Sequence, residues 1–174
     1  GVYRNSEVWI NGHSLGFRPN GYVSFRYDLT PYLRYGSQPN VIAVKADNSE
    51  QPNSRWYSGS GIYRNVWLVK VNPVHVDNWG TFVHDMKISS EEATFALEVR
   101  VRNSSEADRE AEVSTSIYDD RNRVVTAFVT TLLRVPYTPC YDTRMREASV
   151  DHQFSIPNPK LWSPDSPSLY TAVT

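Results

Sequence analysis

Few of the side chains able to do chemistry in this sequence stand at spacings that chemistry requires. Hydrolysis of a glycosidic bond with retention needs two carboxyl groups about 5 Å apart, and residues 1–72 offer only Glu7, Asp28, Asp47 and Glu50. Glu7 falls on the outer face of an alternating segment. Asp28 precedes a helical turn, where a carboxylate near the amide ends is a common structural device. Asp47 and Glu50 flank a long loop, and three residues apart in an irregular segment make a weak pair. The fifteen acids from residue 73 onward occupy mostly solvent-facing alternate positions. No catalytic pair is therefore expected within the chain. Ser58-Gly59-Ser60-Gly61 lacks the spacing of a nucleophile elbow, and no G-x-x-x-x-G-K phosphate cradle occurs. His13, His75, His84 and His152 share no ligand spacing. His84 lies on apolar alternation with Phe82 and Met86, and His152 with Phe154, which favours core or interface histidines over metal ligands. Neither a metal nor any other cofactor is expected.

One aromatic group can be read in two ways. Trp56, Tyr57 and Tyr63 cluster with Asn53, Arg55 and Arg64. Aromatic faces with polar neighbours suit sugars, whose C–H faces stack while their hydroxyls hydrogen-bond; in a β-rich domain the same group also closes a corner of the core.

The elements that must position these residues are strands, because apolar residues recur at spacing two rather than three or four. Val8 and Ile10 alternate with Glu7 and Trp9, and Asn11-Gly12 supplies the positive φ angles of a tight hairpin turn into His13-Ser14-Leu15. Val23, Phe25 and Tyr27 read as a further strand. Thr30 and Pro31 are placed to cap and begin a single helical turn. Asn40 to Asp47 and Ile62 to Val71 are apolar on both faces, as strands covered from two sides should be. The loop between them, residues 48–61, is long, polar and glycine-bearing, the kind of loop that carries function on a β scaffold. Beyond Pro73 the pattern is more regular. Strands are expected at Phe95–Val101, Ala111–Ile117, Val124–Phe128, Ala148–Ile156 and Leu169–Thr174, with a turn at Asp119–Asn122 and another at Pro157-Asn158-Pro159. Turns about every ten residues over about a hundred residues without a disulfide match an immunoglobulin-like sandwich.

Composition bounds the rest. The 174 residues are 40% hydrophobic, 21% charged and 13% aromatic with a net charge of −1, which excludes disorder. No nucleic-acid partner is expected, because no basic run exceeds two residues. No apolar run approaches the ~20 residues that span a bilayer, so no membrane partner is expected either. Cys140, the only cysteine, excludes an internal disulfide and should be inert. Residues 1–72 hold seven of the eight glycines and eight Lys or Arg against four acids, whereas residues 73–174 hold ten against fifteen. This shift favours two domains, divided at Asn72-Pro73. A jelly roll needs about eight strands and residues 1–72 supply about five, so the first domain should be incomplete and leave an apolar edge. Asn103-Ser104-Ser105 fits the glycosylation acceptor pattern without functional meaning expected.

Several strings are more specific. Val8-Trp9-Ile10-Asn11-Gly12-His13-Ser14-Leu15-Gly16, Asn20-Gly21-Tyr22-Val23-Ser24-Phe25, Asp28-Leu29-Thr30 and Arg55 to Val66 closely resemble the second half of the jelly-roll domain of family 2 glycoside hydrolases, in the form found in bacterial β-galactosidases. Pro73 to Thr174, ending Leu161-Trp162-Ser163-Pro164 and Asp165 to Tyr170, resembles the immunoglobulin-like domain that follows there. The resemblance implies an all-β fold: a partial jelly-roll (galactose-binding-like) sandwich over 1–72, then an immunoglobulin-like β-sandwich over 73–174. It implies a parent enzyme that hydrolyses terminal β-galactosides by a retaining mechanism, with both catalytic glutamates on a (β/α)₈ barrel outside this chain. The fragment itself should be inactive, with the barrel and the carbohydrate substrate as its partners. The family's sugar-contacting loops map to Arg18–Gly21 and Ala46–Ser49. Asn20 and Asp47 are then the expected sugar contacts, with Asn48 the alternate if the alignment slips by one. Local sequence reads the same residues as a turn and an Asx-type loop cap. A free-standing carbohydrate-binding module with an immunoglobulin-like spacer is the competing reading.

Overall fold

In the computed structural model, which describes residues 1–50, 57–137 and 146–174, the chain divides into two units, Gly1–Val69 and Lys70–Thr174. Asn53, Arg55, Trp56 and Cys140 lie outside the described residues. The fold is all-β, a partial jelly-roll sandwich followed by an immunoglobulin-like one, with a three-residue 3-10 turn at Thr30–Tyr32.

Unit 1 is organised by β2 (Ser6–Ile10), which lies between β3 (His13–Arg18) and β4 (Ile42–Lys45), antiparallel to both. Ser6, Val8 and Ile10 are buried and Glu7 and Trp9 are not, as the alternation requires. Asn11 and Gly12 take φ of 51° and 88° and close the hairpin. The Asn11 amide then donates to Tyr32 O and Asn40 Oδ1, each at 2.8 Å, while its oxygen accepts from Val41 N at 3.0 Å. β1 (Val2–Tyr3) pairs with β5 (Gly61–Ile62).

The other strands expected in this unit are shorter or absent. Residues 23–27 form no ladder, only β4 remains of 40–47 and only β5 of 62–71; β4 is exposed along its length, as are Val66, Trp67, Leu68 and Val69. Period-two alternation records which faces are apolar, but a strand forms only where a neighbouring ladder takes up its N–H and C=O groups. The helical turn Thr30–Tyr32 forms with Pro31 at its start, but Thr30 does not cap it. Asp28 Oδ1 accepts from Thr30 N at 2.9 Å instead, because the orphan donor of the turn is Thr30's own amide.

Unit 2 is a two-sheet sandwich. One sheet has the order β10-β7-β6, with β6 Val74–Ile88, β7 Glu92–Asn103 and β10 Glu147–Pro157. The other has the order β11-β8-β9, with β8 Arg109–Tyr118, β9 Val129–Val135 and β11 Thr171–Val173. Leu97, Val99, Val101, Phe154 and Ile156 from the first sheet meet Val113, Ile117 and Val135 from the second in one buried cluster. The strand expected at Val124–Phe128 lies later, at β9. Asp119 gathers Arg121 N, Arg123 N and the Arg123 guanidinium at 2.7–2.9 Å, which prolongs the turn, and Val124 makes only an isolated bridge to Tyr118.

Two buried polar side chains are fully engaged. His152 reaches Thr115 Oγ1 at 3.0 Å and Thr131 Oγ1 at 3.2 Å. Asn103 donates to Ala107 O and Val135 O and accepts from Ser105, so burial closes the glycosylation pattern to modification. His84, by contrast, is exposed and stands edge-on to Phe82. β6 also bulges: Val76 pairs with Val101 and Thr81 with Val99, which displaces residues 77–80. A Cβ on Gly80 would lie 2.7 Å from Asp77 O and 2.8 Å from Arg100 O, and the tight bend holds Trp79 at φ 55° with its indole exposed.

Candidate functional site

The register of unit 1 brings three chain segments to one end of its sheet. Ser6 pairs with Arg18 and Glu7 with Lys45, so the residues entering β2, leaving β3 and leaving β4 emerge together. The segments leaving β3 and β4 carry the residues singled out by sequence.

Asn20 follows β3 and is exposed. Its Oδ1 accepts from Tyr22 N at 2.8 Å, an Asx turn, and its Nδ2 has no hydrogen-bond acceptor among the described residues. The turn is pinned from outside. The Tyr63 hydroxyl donates to Gly21 O at 2.7 Å, Arg64 Nη1 donates to Tyr22 O at 3.0 Å, and the Tyr3 ring stands against both Gly21 and Tyr22.

Asp47 follows β4 and is half-buried. Its Oδ1 accepts from Ser49 Oγ at 2.7 Å and Ser49 N at 3.1 Å, and Lys45 Nζ stands 4.0 Å from Oδ2. The Ser49 hydroxyl, then the Ser49 amide, then the lysine charge hold its pKa below the ordinary carboxylate value. A lowered pKa suits an anionic acceptor and not a proton donor. Asn48 is also half-buried, and its amide donates to Ser58 O at 3.0 Å, which commits it to the loop. The turn and loop-cap roles that local sequence suggested for Asn20 and Asp47 are thus both realised, through Oδ1 in each case, and Oδ2 of Asp47 faces Lys45.

The third segment was not legible in the sequence. Asn5, at φ 44°, donates its backbone N–H to Pro19 O at 3.3 Å and its side-chain Nδ2 to Asp47 O at 3.3 Å. Arg4 O accepts from Asp47 N at 2.9 Å, and Arg4 Nη2 donates to Glu50 O and Oε2 at 3.2 and 3.1 Å. The available signal was weak: an asparagine just ahead of a strand is a residue type that tolerates left-handed backbone. Of the aromatic group, Tyr63 serves the Asn20 turn and carries the Arg64 guanidinium 5.1 Å over its ring, whereas Tyr57 is 94% exposed. Two of the three remaining candidate acids have structural partners, Asp28 the Thr30 amide and Glu50 the Arg4 guanidinium, and Glu7 lies on β2 at a position that is not buried. Chemically, the cluster can accept from and donate to the hydroxyls of a polar ligand.

Residues 74–174 match the family described as glycosyl hydrolases family 2. Along its whole length the chain is 45% identical to a β-galactosidase of Bacteroides ovatus and 36% identical to a putative β-glucuronidase of Formosa agariphila. It spans 19% and 15% of those two proteins. Among solved structures, a family 2 member from Bacteroides cellulosilyticus superposes with a TM-score of 0.86 at 31% identity, covering 99% of this chain and 22% of that one. Match, identity and fold agree: the chain belongs to glycosyl hydrolase family 2.

Proposed function

We propose that the chain is a non-catalytic part of a longer retaining glycosidase that hydrolyses terminal β-galactosides. In this reading residues 1–72 are the C-terminal part of a jelly-roll domain and residues 73–174 an immunoglobulin-like domain that supports the enzyme. The catalytic glutamates lie on a (β/α)₈ barrel outside the chain. Asn20 and Asp47 contact the non-reducing sugar, and Asn48 steadies the Asp47 loop.

The observation that carries the proposal is the joining of the Asn20 and Asp47 loops at one sheet end, with the Asp47 carboxylate accepting from the Ser49 hydroxyl and amide. A carboxylate flanked by an amide donor suits the hydroxyls of a neutral sugar. A uronate would bring like charge against it, which favours galactose over glucuronate, in line with the identity to a β-galactosidase. The test is a pair of measurements on the isolated chain: chromogenic galactoside hydrolysis and galactose titration. No turnover and no sub-millimolar binding are expected, because one wall of the pocket belongs to the barrel. Turnover would refute the division of labour, and sub-millimolar binding would favour a self-sufficient carbohydrate-binding module.

A further inference from the structure

We infer that Asn5 is a positioning residue that sets the separation of Asn20 from Asp47 and so the enzyme's affinity for its sugar; this rests on the sugar-contacting role proposed above for those two residues. Among the described residues, no hydrogen bond joins the 19–22 loop directly to the 46–50 loop. Both are bonded to the same dipeptide. The Asn5 backbone N–H reaches Pro19 O, its side-chain Nδ2 reaches Asp47 O, and Arg4 holds Asp47 N through its carbonyl and Glu50 through its guanidinium. The two loops are therefore tied through the Arg4–Asn5 peptide, whose N–H meets Pro19 O and whose C=O meets Asp47 N, and the Asn5 side chain adds the second tie that fixes how the Asp47 loop is held against it.

Residue type matters here for two reasons. At φ 44° a branched or bulky side chain is strained, which leaves glycine, asparagine and aspartate as the unstrained choices. Of these three only asparagine offers a side-chain donor, and the group it meets is a carbonyl oxygen. Asparagine alone satisfies the backbone and the Asp47 loop together. Arg4 acts on Asp47 through its carbonyl, which any residue would supply, and its side chain reaches only Glu50, whose carboxylate is 80% exposed.

The geometry also fixes the size of the effect. The bond from Nδ2 to Asp47 O is 3.3 Å, at the long end of the range, and Asp47 keeps its backbone bond to Arg4 O without it. Losing it should loosen the Asp47 loop rather than unfold it, and the expected rise in KM is roughly three- to tenfold, the equivalent of one ordinary hydrogen bond.

The test is a double-mutant cycle in the enzyme that carries this chain, assayed with a nitrophenyl β-galactoside. Asn5→Gly keeps the left-handed backbone and the bond to Pro19 but removes Nδ2. Asn5→Asp keeps the shape and sets an acceptor against an acceptor. Both should raise KM by the stated factor or more, with kcat within about twofold and the thermal midpoint unchanged. In an Asp47→Ala background, Asn5→Gly should have no further effect, because the group it positions is gone. The inference is overturned if Asp47→Ala raises KM while both Asn5 variants leave it alone, if the two effects multiply independently, or if KM rises only together with a loss of kcat and of thermal midpoint. If Asp47→Ala itself leaves KM unchanged, the sugar-contacting role fails, and the inference with it.

Discussion

Substituting alanine for Gly21 should disrupt the Asn20 turn more than any other glycine change near it. Gly21 is buried, and a Cβ built on it would lie 2.2 Å from Tyr3 Cδ2 and 2.9 Å from Tyr3 Cγ and Cε2. Carbon atoms rest about 3.5–4.0 Å apart, so ring and loop must separate by more than about 1 Å. The ring has little freedom to yield, because the Tyr3 backbone is paired with Gly61 and its edge meets Tyr22 at 5.4 Å. If the loop moves instead, Gly21 O leaves the Tyr63 hydroxyl 2.7 Å away. Overpacking costs about 1–3 kcal/mol and the hydrogen bond about 1 kcal/mol. Gly59→Ala is the control: its Cβ would meet only Tyr57 Cε1 at 3.6 Å, an ordinary contact, so stability should be unchanged or slightly higher. Urea titration of both variants against the parent chain provides the comparison. Equal stability of Gly21→Ala and Gly59→Ala would refute the clash with the Tyr3 ring.

Two further outcomes concern unit 2. Burial pushes the His152 imidazole below its ordinary pKa, against a smaller opposing effect of Asp151; the unfolded chain then binds the extra proton first, so stability should fall as pH drops below about 6.5 and level off below the folded pKa. Urea midpoints measured across that range check this, and His152→Gln should flatten the slope. Trp79→Asn should raise the stability of unit 2 by about 1 kcal/mol, since asparagine tolerates φ 55° and the indole is 81% exposed; a lower thermal midpoint would show that the ring contributes packing after all.

The fold was legible where a local pattern and its partner strand were both present. Asn11-Gly12 fixed one hairpin because its turn chemistry is complete in two residues. The alternation of Phe95 to Val101 and of Ala148 to Ile156 marked two strands that pair with each other in register. Val23, Phe25 and Tyr27 alternate just as well yet form no ladder, because alternation specifies a face and says nothing about a neighbour. The bulge at residues 77–80 was illegible for a related reason: Gly80 is required there by the backbone of Asp77 and Arg100, and only the latter's strand reveals it. At the site, Asn20 and Asp47 were visible as residue types and through family resemblance. What joins them was not, since the Arg4 carbonyl and the Asn5 side chain reach Asp47 across more than forty positions of sequence.

The most direct measurement is kcat/KM for a nitrophenyl β-galactoside by the enzyme that carries this chain, with Asp47→Ala and Asn20→Ala each compared with the parent. An acceptor lost from a charged hydrogen bond to substrate should lower kcat/KM about tenfold to a hundredfold for Asp47→Ala, with a smaller loss for Asn20→Ala and folding intact in both. Parental kcat/KM in both folded variants would contradict the account.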